Sequence, residues 1–372
     1  MNKLQSQLSA SLIERDAEIR ACLLGLVARE HVLMVGPPGT AKSLLATSVA
    51  GAISGARVFS VLLTKFTAPE EVFGPVKLSA LKQDKYERAL SGYAATAEIL
   101  FVDEVWKASS AILNTLLTLL QERQYDNGGK RVACPLRLAI AASNEWPSSE
   151  EGQELGAVFD RFLIRRKVAP VSPQGRDRLL YDALPFVAPC IALVDVDAAS
   201  VAAAALPVSA EARVALAAIL DELSGAGIRP GDRRSRKSVA VARAAAYLDG
   251  ASDVQSHHLE DLAMVLWCDP EQADKAGEII SRIANPVGAR VNEILRAVDE
   301  AVQAAGTDAA QRMAAIKKLE ESEREVGKLA GQGNGRAKAA ATYIRRERVR
   351  MQAAALGIDP AKAEALLGGD VK

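Results

Sequence analysis

Four short segments in the first half of the chain carry residues whose types and spacing suit phosphate chemistry. Gly36-Pro37-Pro38-Gly39-Thr40-Ala41-Lys42-Ser43 lies between a β-like run, Val32 to Val35, and helix formers from Leu44 to Ala50. A glycine-bearing loop so placed curls until successive N–H groups converge on one anion, and the following helix N-terminus adds its dipole. A lysine then reaches the outer phosphates and a hydroxyl binds Mg²⁺. Gly36, Gly39, Lys42 and Ser43 fill those roles. The strict form of the loop has glycine where this chain has Ala41, a departure that alanine tolerates if the position enters the helix right-handed, without φ > 0.

Downstream, Ile99-Leu100-Phe101-Val102 ends in Asp103-Glu104. A buried strand ending in two carboxylates delivers them to the carboxyl edge of a sheet, where the phosphate loop also opens. There Asp103 can hold Mg²⁺ through water and Glu104 can polarise the attacking water. A further run, Leu138 to Ala142, leads into Ser143-Asn144, and Asn144 could bond the γ-phosphate or its water, or simply form a turn. In Phe159-Asp160-Arg161-Phe162, Arg161 precedes another apolar run. It is placed to act as an arginine finger toward a neighbouring subunit, or to pair with Asp160 or Glu154 within the chain.

Those segments require a scaffold of alternating strands and helices, hence a mostly parallel sheet with helices on both faces. Short β-like runs at Val32–Val35, Val58–Leu63, Ile99–Val102 and Leu138–Ala142 fit it, with a helical stretch from Ala111 to Arg123 and a helical periodicity from Leu8 to Glu30. After Pro170-Val171-Ser172-Pro173 the β-runs largely vanish and alanine-rich helical stretches follow, Ala210 to Leu223 and Ser238 to Leu248. Asp269-Pro270 marks a second break. The division this suggests is 1–171 for the α/β core, 172–268 for an all-α lid and 269–372 for a helical extension.

Composition narrows the function classes. Lys+Arg and Asp+Glu are 46 each, so the formal net charge is zero and no global electrostatic case exists for nucleic acid or anionic lipid. Aromatics are 4% of residues, too few for a stacking platform along single strands. Cys22, Cys134, Cys190 and Cys268 are scattered, without metal-ligand spacing, and read as buried free thiols in a reducing compartment. The first 20 residues lack the apolar core of a secretory signal, and no apolar run is long enough to span a bilayer, so a soluble, cytoplasmic protein is expected.

Taken together, the motifs resemble the AAA+ ATPase superfamily, and within it the MoxR branch, especially its RavA-type members. The likeness rests on GPPGTAKS, on FTAPEEVFGPVKLSALK (66–82), YERALSGY (86–93), ILFVDEVWKASSAILNTLLTLLQERQY (99–125) and AASNEWP (141–147), and covers nearly all of residues 8–265. The resemblance implies an α/β core with a five-stranded parallel sheet, ATP and Mg²⁺ as ligands, and nucleotide contacts from Gly36, Pro37, Pro38, Gly39, Thr40, Ala41, Lys42, Ser43 and Leu44. It makes Lys42 and Ser43 the Walker A pair, Asp103 and Glu104 Walker B, Asn144 sensor 1, Arg161 the arginine finger and Arg233 sensor 2, with adjacent Arg234 the alternative; Ser43 and Asp103 hold the metal. It further implies a homo-oligomeric ring, hexameric in the family, remodelling protein complexes with a partner that bears a VWA domain. ATP would lie between the core, the lid carrying Arg233 and the neighbour's Arg161. Two insertions, around Phe66–Leu81 and a hairpin around Gln124–Arg137 with turns at Gly74-Pro75 and Asn127-Gly128, would face the pore or client.

In the last third, acidic Glu320, Glu321, Glu323 and Glu325 precede a GQGNG turn (331–335), and basic Arg336, Lys338, Arg345, Arg346, Arg348 and Arg350 follow it. Folding back near Gly333 would set Glu320 and Glu321 opposite Arg345 and Arg346 in a helical hairpin or three-helix unit. The tail has no β-like stretch that could form the extra domain that RavA-type proteins insert there. Two other functional classes compete with the remodeller: a nucleic-acid motor, supported only by the basic Arg336–Arg350 segment, and a nucleotide-gated scaffold with little turnover, suggested by Ala41.

Overall fold

The apolar runs become strands in a computed structural model that describes residues 1–147, 153–305, 309–330 and 335–355. In chain order the strands are β1 (Val32–Val35), β2 (Ile53–Ser54), β3 (Val58–Leu62), β4 (Ile99–Asp103), β5 (Gln124–Asn127), β6 (Lys130–Ala133), β7 (Leu138–Ser143), β8 (Ile164–Lys167) and β9 (Ile191–Ala192). Five of them form one parallel sheet in the order β3-β4-β7-β1-β8. β1 and β7 are buried along their whole length, as strands covered on both faces must be, whereas β3 at the edge is half-exposed.

Register decides what meets what. Val32, the first residue of β1, pairs with Ile140 and Ile164, while Val35, the last, pairs with Ser143 and Lys167. The loop after Val35, the carboxylates at the end of β4 and Asn144 after β7 therefore share the carboxyl edge. Residues just before Ile164 lie at the opposite, amino edge.

Helices α1 (Asn2–Ser11) and α2 (Asp16–Ala28) replace the continuous helical run expected from Leu8 to Glu30. The chain breaks between them, where Glu14 has φ +54°. α3 (Lys42–Gly51) opens on the phosphate loop; α4 (Pro69–Phe73) and α5 (Leu78–Leu81) lie between β3 and β4; α6 (Ser110–Glu122) and α7 (Gln153–Arg161) flank the β5–β6 hairpin and β7. The hairpin turns on Gly128 and Gly129, with φ +65° and +79°, one residue later than the expected Asn127-Gly128. Asn127 instead stays in β5, and its side chain accepts from the Arg88 N–H at 2.7 Å and donates to the Arg88 carbonyl at 3.2 Å. A Cβ at Gly128 would come 1.8 Å from the Tyr86 carbonyl oxygen, so the hairpin's close approach to the segment following α5 admits only glycine at that position.

Beyond β8, α8 (Pro173–Tyr181) starts on a Ser172 cap, and β9 returns to pair with β2, so the chain does not turn purely helical at 172. α9 (Leu193–Ala205), α10 (Ala210–Gly225) and α11 (Asp232–Leu248) are rich in alanine, whose small side chain lets helices approach closely. Arg20 of α2 grips this layer by pairing with Asp249 at 2.9 Å and Asp261 at 2.7 Å. Of the cysteines, Cys22 and Cys134 are buried free thiols as expected, but Cys190 is half-buried and Cys268 exposed.

The chain divides into two compact units, Met1–Gly277 and Glu278–Lys372, with α12 (Ala273–Ala284) crossing the division. In the second unit α13 (Pro286–Ala304), α14 (Ala309–Ala330) and α15 (Gly335–Ala355) close around Val291, Val298, Leu319, Val326 and Ile344. No strand occurs among its described residues. Charge pairs do link α14 and α15, but through Arg348, 2.8 Å from Glu323 and 3.9 Å from Glu320. Arg348 lies one helical turn beyond core-facing Ile344, whereas Arg345 and Glu321 are exposed. The turn residues 331–334 lie outside the described residues.

Candidate functional site

At the carboxyl edge, three separate segments meet through side chains. The Lys42 Nζ donates to Asn144 Oδ1 at 3.1 Å and to the carbonyls of Gly36 and Pro37 at 2.6 and 2.9 Å. Asn144 donates its Nδ2 to Glu104 Oε1, and Lys107 pairs with the other Glu104 oxygen at 3.3 Å. Beside this chain of contacts, Ser43 Oγ donates to Asp103 Oδ2 at 2.7 Å, while Asp103 Oδ1 accepts the Glu104 N–H at 3.0 Å. Burial draws the Lys42 ammonium below its usual range, and the Asp103 and Glu104 carboxylates act against that fall. Ser43 and Asp103 present hydroxyl and carboxylate oxygens, the hard donors that suit Mg²⁺.

The loop is held from below. Gly36 passes so close to the end of β8 that a Cβ there would lie 2.2 Å from the Val168 carbonyl oxygen. Thr40 is buried and its hydroxyl donates to the Pro37 carbonyl at 2.8 Å, while Pro37, Pro38, Gly39, Ser43 and Leu44 are exposed. Buried Arg15 donates Nε to the Thr40 carbonyl at 3.1 Å and Nη2 to the Ala169 carbonyl at 2.9 Å, tying the loop to the chain after β8. Nothing in the sequence around Arg15 marks it, because its partners are backbone carbonyls far along the chain.

Ala41 corrects one expectation. Its φ is +64° and ψ 22°, the left-handed region, so the position does need φ > 0. An L-residue there costs about 1–2 kcal/mol. Glu104 is likewise left-handed, at φ +54°, where the chain leaves β4. Left-handed residues other than glycine at both the loop and the carboxylate turn mark the edge as locally strained.

Arg161 and Arg233 lie elsewhere. They line one cleft with Asp160, Leu163, Arg234 and Lys237, and Leu163 immediately precedes β8, so the cleft belongs to the amino edge. Arg234 is 4% exposed and engaged through both terminal nitrogens: Nη1 donates to the Leu163 and Val265 carbonyls at 3.1 and 2.9 Å, and Nη2 to the Asp160 carboxylate at 2.9 Å. It clasps α11 to the α7–β8 junction. Arg233 is exposed and makes no hydrogen bond or ion pair among the described residues, which leaves it, and not Arg234, available to a ligand. Arg161 touches Asp160 at only 3.5 Å, and burial followed by repulsion from Arg233 lowers its guanidinium from the usual range. The expected alternative partner, the Glu154 side chain, lies outside the described ones. No hydrogen bond or ion pair among the described residues joins this cleft to the Lys42–Asn144–Glu104 group.

A parallel sheet in this order, with a glycine loop after β1, carboxylates ending β4, a polar residue ending β7 and an alanine-rich helical layer, defines a P-loop ATPase fold of the AAA+ class. The chain belongs to the MoxR-type AAA+ ATPases. Residues 1–185 match the sequence profile described as "MoxR domain in the MoxR-vWA-beta-propeller ternary systems", and residues 214–280 match that of the AAA lid domain. Two uncharacterized proteins of Methanocaldococcus jannaschii are 37% identical over 287 residues and 36% identical over 293, covering 77% and 78% of this chain and 76% of each relative. Chaperone MoxR1 of Mycobacterium tuberculosis is 27% identical over 173 residues, 46% of this chain and 44% of MoxR1. A crystal structure described as a candidate ATPase from Cytophaga hutchinsonii shares the fold, with TM-score 0.61 at 16% identity over 76% of this chain and 92% of that one.

Proposed function

We propose that this protein is a Mg²⁺-dependent ATPase that works as a ring, hexameric as the family likeness implies, to remodel protein complexes. Its partner carries a VWA domain, a reading supported by the family description that joins MoxR, vWA and β-propeller proteins. The observation that carries the reading is the junction of Lys42, Asn144 and Glu104 beside Ser43 and Asp103, formed by three segments far apart in the chain. Bound Mg²⁺ would offset phosphate charge, with Ser43 and Asp103 holding it. Lys42 exchanges its carbonyl partners in the loop for phosphate oxygens, and the Gly36–Leu44 backbone curls around them. Glu104 orients the attacking water and takes its proton; Asn144, already bonded to both Lys42 and Glu104, fixes that carboxylate relative to the phosphate.

Arg161 and Arg233 serve a different nucleotide. Their cleft lies at the amino edge, and the four-residue β1 separates it from the loop by about 13 Å at roughly 3.3 Å per residue. An arginine anchored there meets a neighbouring copy's phosphates more readily than its own, so the finger and the sensor 2 arginine act together across one subunit contact. The RavA-like subdivision rests on the quoted motifs. We also propose the boundaries 1–171, 172–268 and 269–372 for core, lid and extension, and a cytoplasmic location; among the described residues no helix is long and apolar enough to cross a membrane. The nucleic-acid alternative loses part of its support, because Arg348 of the basic segment is engaged by Glu323. Steady-state turnover tests the reading: Glu104→Gln should still bind ATP yet hydrolyse it about 10²–10⁴-fold more slowly. Unchanged turnover in that variant would contradict the role of Glu104.

A further inference from the structure

The protein's three tryptophans converge on one phenylalanine. Trp106 stands two residues after Glu104, Trp146 two after Asn144, and Trp267 at the far end of the lid segment. Their ring centroids lie 6.2, 6.2 and 6.3 Å from that of Phe159, within the range of favourable aromatic pairs. Phe159 sits in the last turn of α7, two residues before Arg161. One ring thus touches the turn after the carboxylates, the loop after sensor 1 and the helix end that carries the finger.

The cluster has a fixed side and a loose side. On the fixed side, the Arg165 guanidinium stacks 3.7 Å from the Phe159 centroid and donates to the Phe159 and Trp267 carbonyls at 3.0 and 2.8 Å. Trp267 Nε1 donates to the Ala263 carbonyl at 2.9 Å. On the loose side, Trp106 Nε1 is buried with no hydrogen-bond partner among the described residues, so ring packing alone holds it. It also follows the left-handed Glu104. Trp146 is only half-buried and meets Phe159 edge-on, at 90°.

We infer that Phe159 is a positioning residue that couples the contents of the phosphate loop to the placement of Arg161. The inference rests on the ATPase reading. Phosphate oxygens compete for Lys42, so the Lys42–Asn144–Glu104 contacts must re-form when nucleotide enters. Trp146 and Trp106 follow those residues closely and shift against Phe159. Packed rings change between discrete arrangements instead of deforming gradually, so the last turn of α7 moves with them. Occupancy of one copy's loop then sets the finger that this copy offers to the next.

Because every tryptophan belongs to the cluster, intrinsic emission of the full chain reports its state. The wild type should change its emission on binding Mg·ADP or a non-hydrolysable ATP analogue. Phe159→Leu should abolish that change and lower turnover about 10- to 100-fold, as a misplaced catalytic group does. Its affinity for ADP by calorimetry should stay within about twofold, since the loop contacts are intact. Phe159→Tyr should restore both emission change and turnover. Trp146→Leu, in the half-buried position where folding is least at risk, should show the same split. Normal turnover in either leucine variant, or affinity falling in step with turnover, overturns the inference. So does a wild type that binds and hydrolyses ATP with no change in emission, while the ATPase reading stands. A wild type that binds no nucleotide overturns that reading and the inference with it.

Discussion

The two edges of the sheet handle charge in opposite ways. At the carboxyl edge Lys42, Lys107, Asp103 and Glu104 neutralise one another through direct contacts and through Asn144 and Ser43. At the amino edge Arg161, Arg233, Arg234 and Lys237 face a cleft whose one carboxylate, Asp160, is engaged by Arg234, while Lys237 reaches out to Glu30 at 2.6 Å. Burial alone would raise the Asp160 carboxyl, but Arg234 with Arg165 and Arg161 holds it below the usual range. The first edge holds its opposite charges in contact; among the described side chains, the second keeps more positive than negative charge around its cleft. Under the function proposed above, keeping Arg161 and Arg233 away from the carboxylates of their own chain is what a site shared between copies requires.

The contrast can be broken at several points. The largest effect on stability is expected for Arg234→Ala, which takes the donor from the Leu163 and Val265 carbonyls and leaves half-exposed Asp160 to Arg161 and Arg165. Stability in urea should fall by about 1–3 kcal/mol, the cost of leaving buried acceptors unpaired, with little added by the screened carboxylate. Loss of under about 1 kcal/mol would mean that Arg234 behaves as a surface charge and is free to act as a sensor. Lys42→Ala should do the reverse: its ATP affinity should drop roughly 10- to 150-fold, the equivalent of one charged hydrogen bond at about 1.5–3 kcal/mol, with the fold retained. ATP binding at wild-type strength would remove the lysine from the site.

Acid should act on the scaffold that separates the edges. His31, just before β1, donates Nε2–H to the Leu120 carbonyl and accepts the Ala139 N–H at Nδ1, each at 3.0 Å, and its burial lowers its pKa well below 6.5. His258 is pushed down to about 4, chiefly by burial and then by His257. The unfolded chain takes up these protons first, near pH 6.5. Stability from the neutral rings is therefore complete above that pH and declines as pH falls toward the folded values. A denaturation midpoint unchanged between pH 7 and pH 5 would contradict it, and His31→Gln should flatten the profile. The smallest effect is expected for Ala41→Gly. Relief of the left-handed alanine, about 1–2 kcal/mol, is partly offset by the added freedom of glycine in the unfolded chain, about 0.4–1 kcal/mol. A net gain below about 1 kcal/mol should appear in thermal denaturation, and a net loss would show that the loop's φ is not the constraint.

How much of this was legible beforehand follows from the range of the forces involved. Strand runs bounded by turn residues placed β1, β3, β4 and β7 correctly within a residue; for β1, β4 and β7 burial on both faces demands unbroken apolar stretches, and edge strand β3 was marked by its β-branched and aromatic residues. Lys42, Ser43, Asp103 and Glu104 stood out because loop and strand end are local patterns. The left-handed φ of Ala41 was not legible, as residue type argues against it. Neither were Arg15 and Arg165, whose partners are carbonyls supplied by remote segments, nor the meeting of Trp106, Trp146 and Trp267, which sit far apart in the chain. Of the two adjacent arginines, only tertiary packing could tell that Arg234 is buried and Arg233 exposed. That α14 and α15 would be joined by charge pairs was legible from their compositions; that Arg348 takes part was not, because the apolar core through Ile344 sets which arginine turns inward.

The central claim is that the set at the carboxyl edge is completed by the arginine cleft of another copy. Mixing two variants tests it most directly: Glu104→Gln keeps an intact cleft, and Arg161→Ala keeps an intact carboxyl edge. Each alone should bind ATP with little turnover. Combined in equal amounts and allowed to reassemble, they should regain roughly a quarter of wild-type activity, the share of head-to-tail contacts that pair an intact edge with an intact cleft. Two variants that bind ATP, co-assemble and remain inactive together would contradict the account.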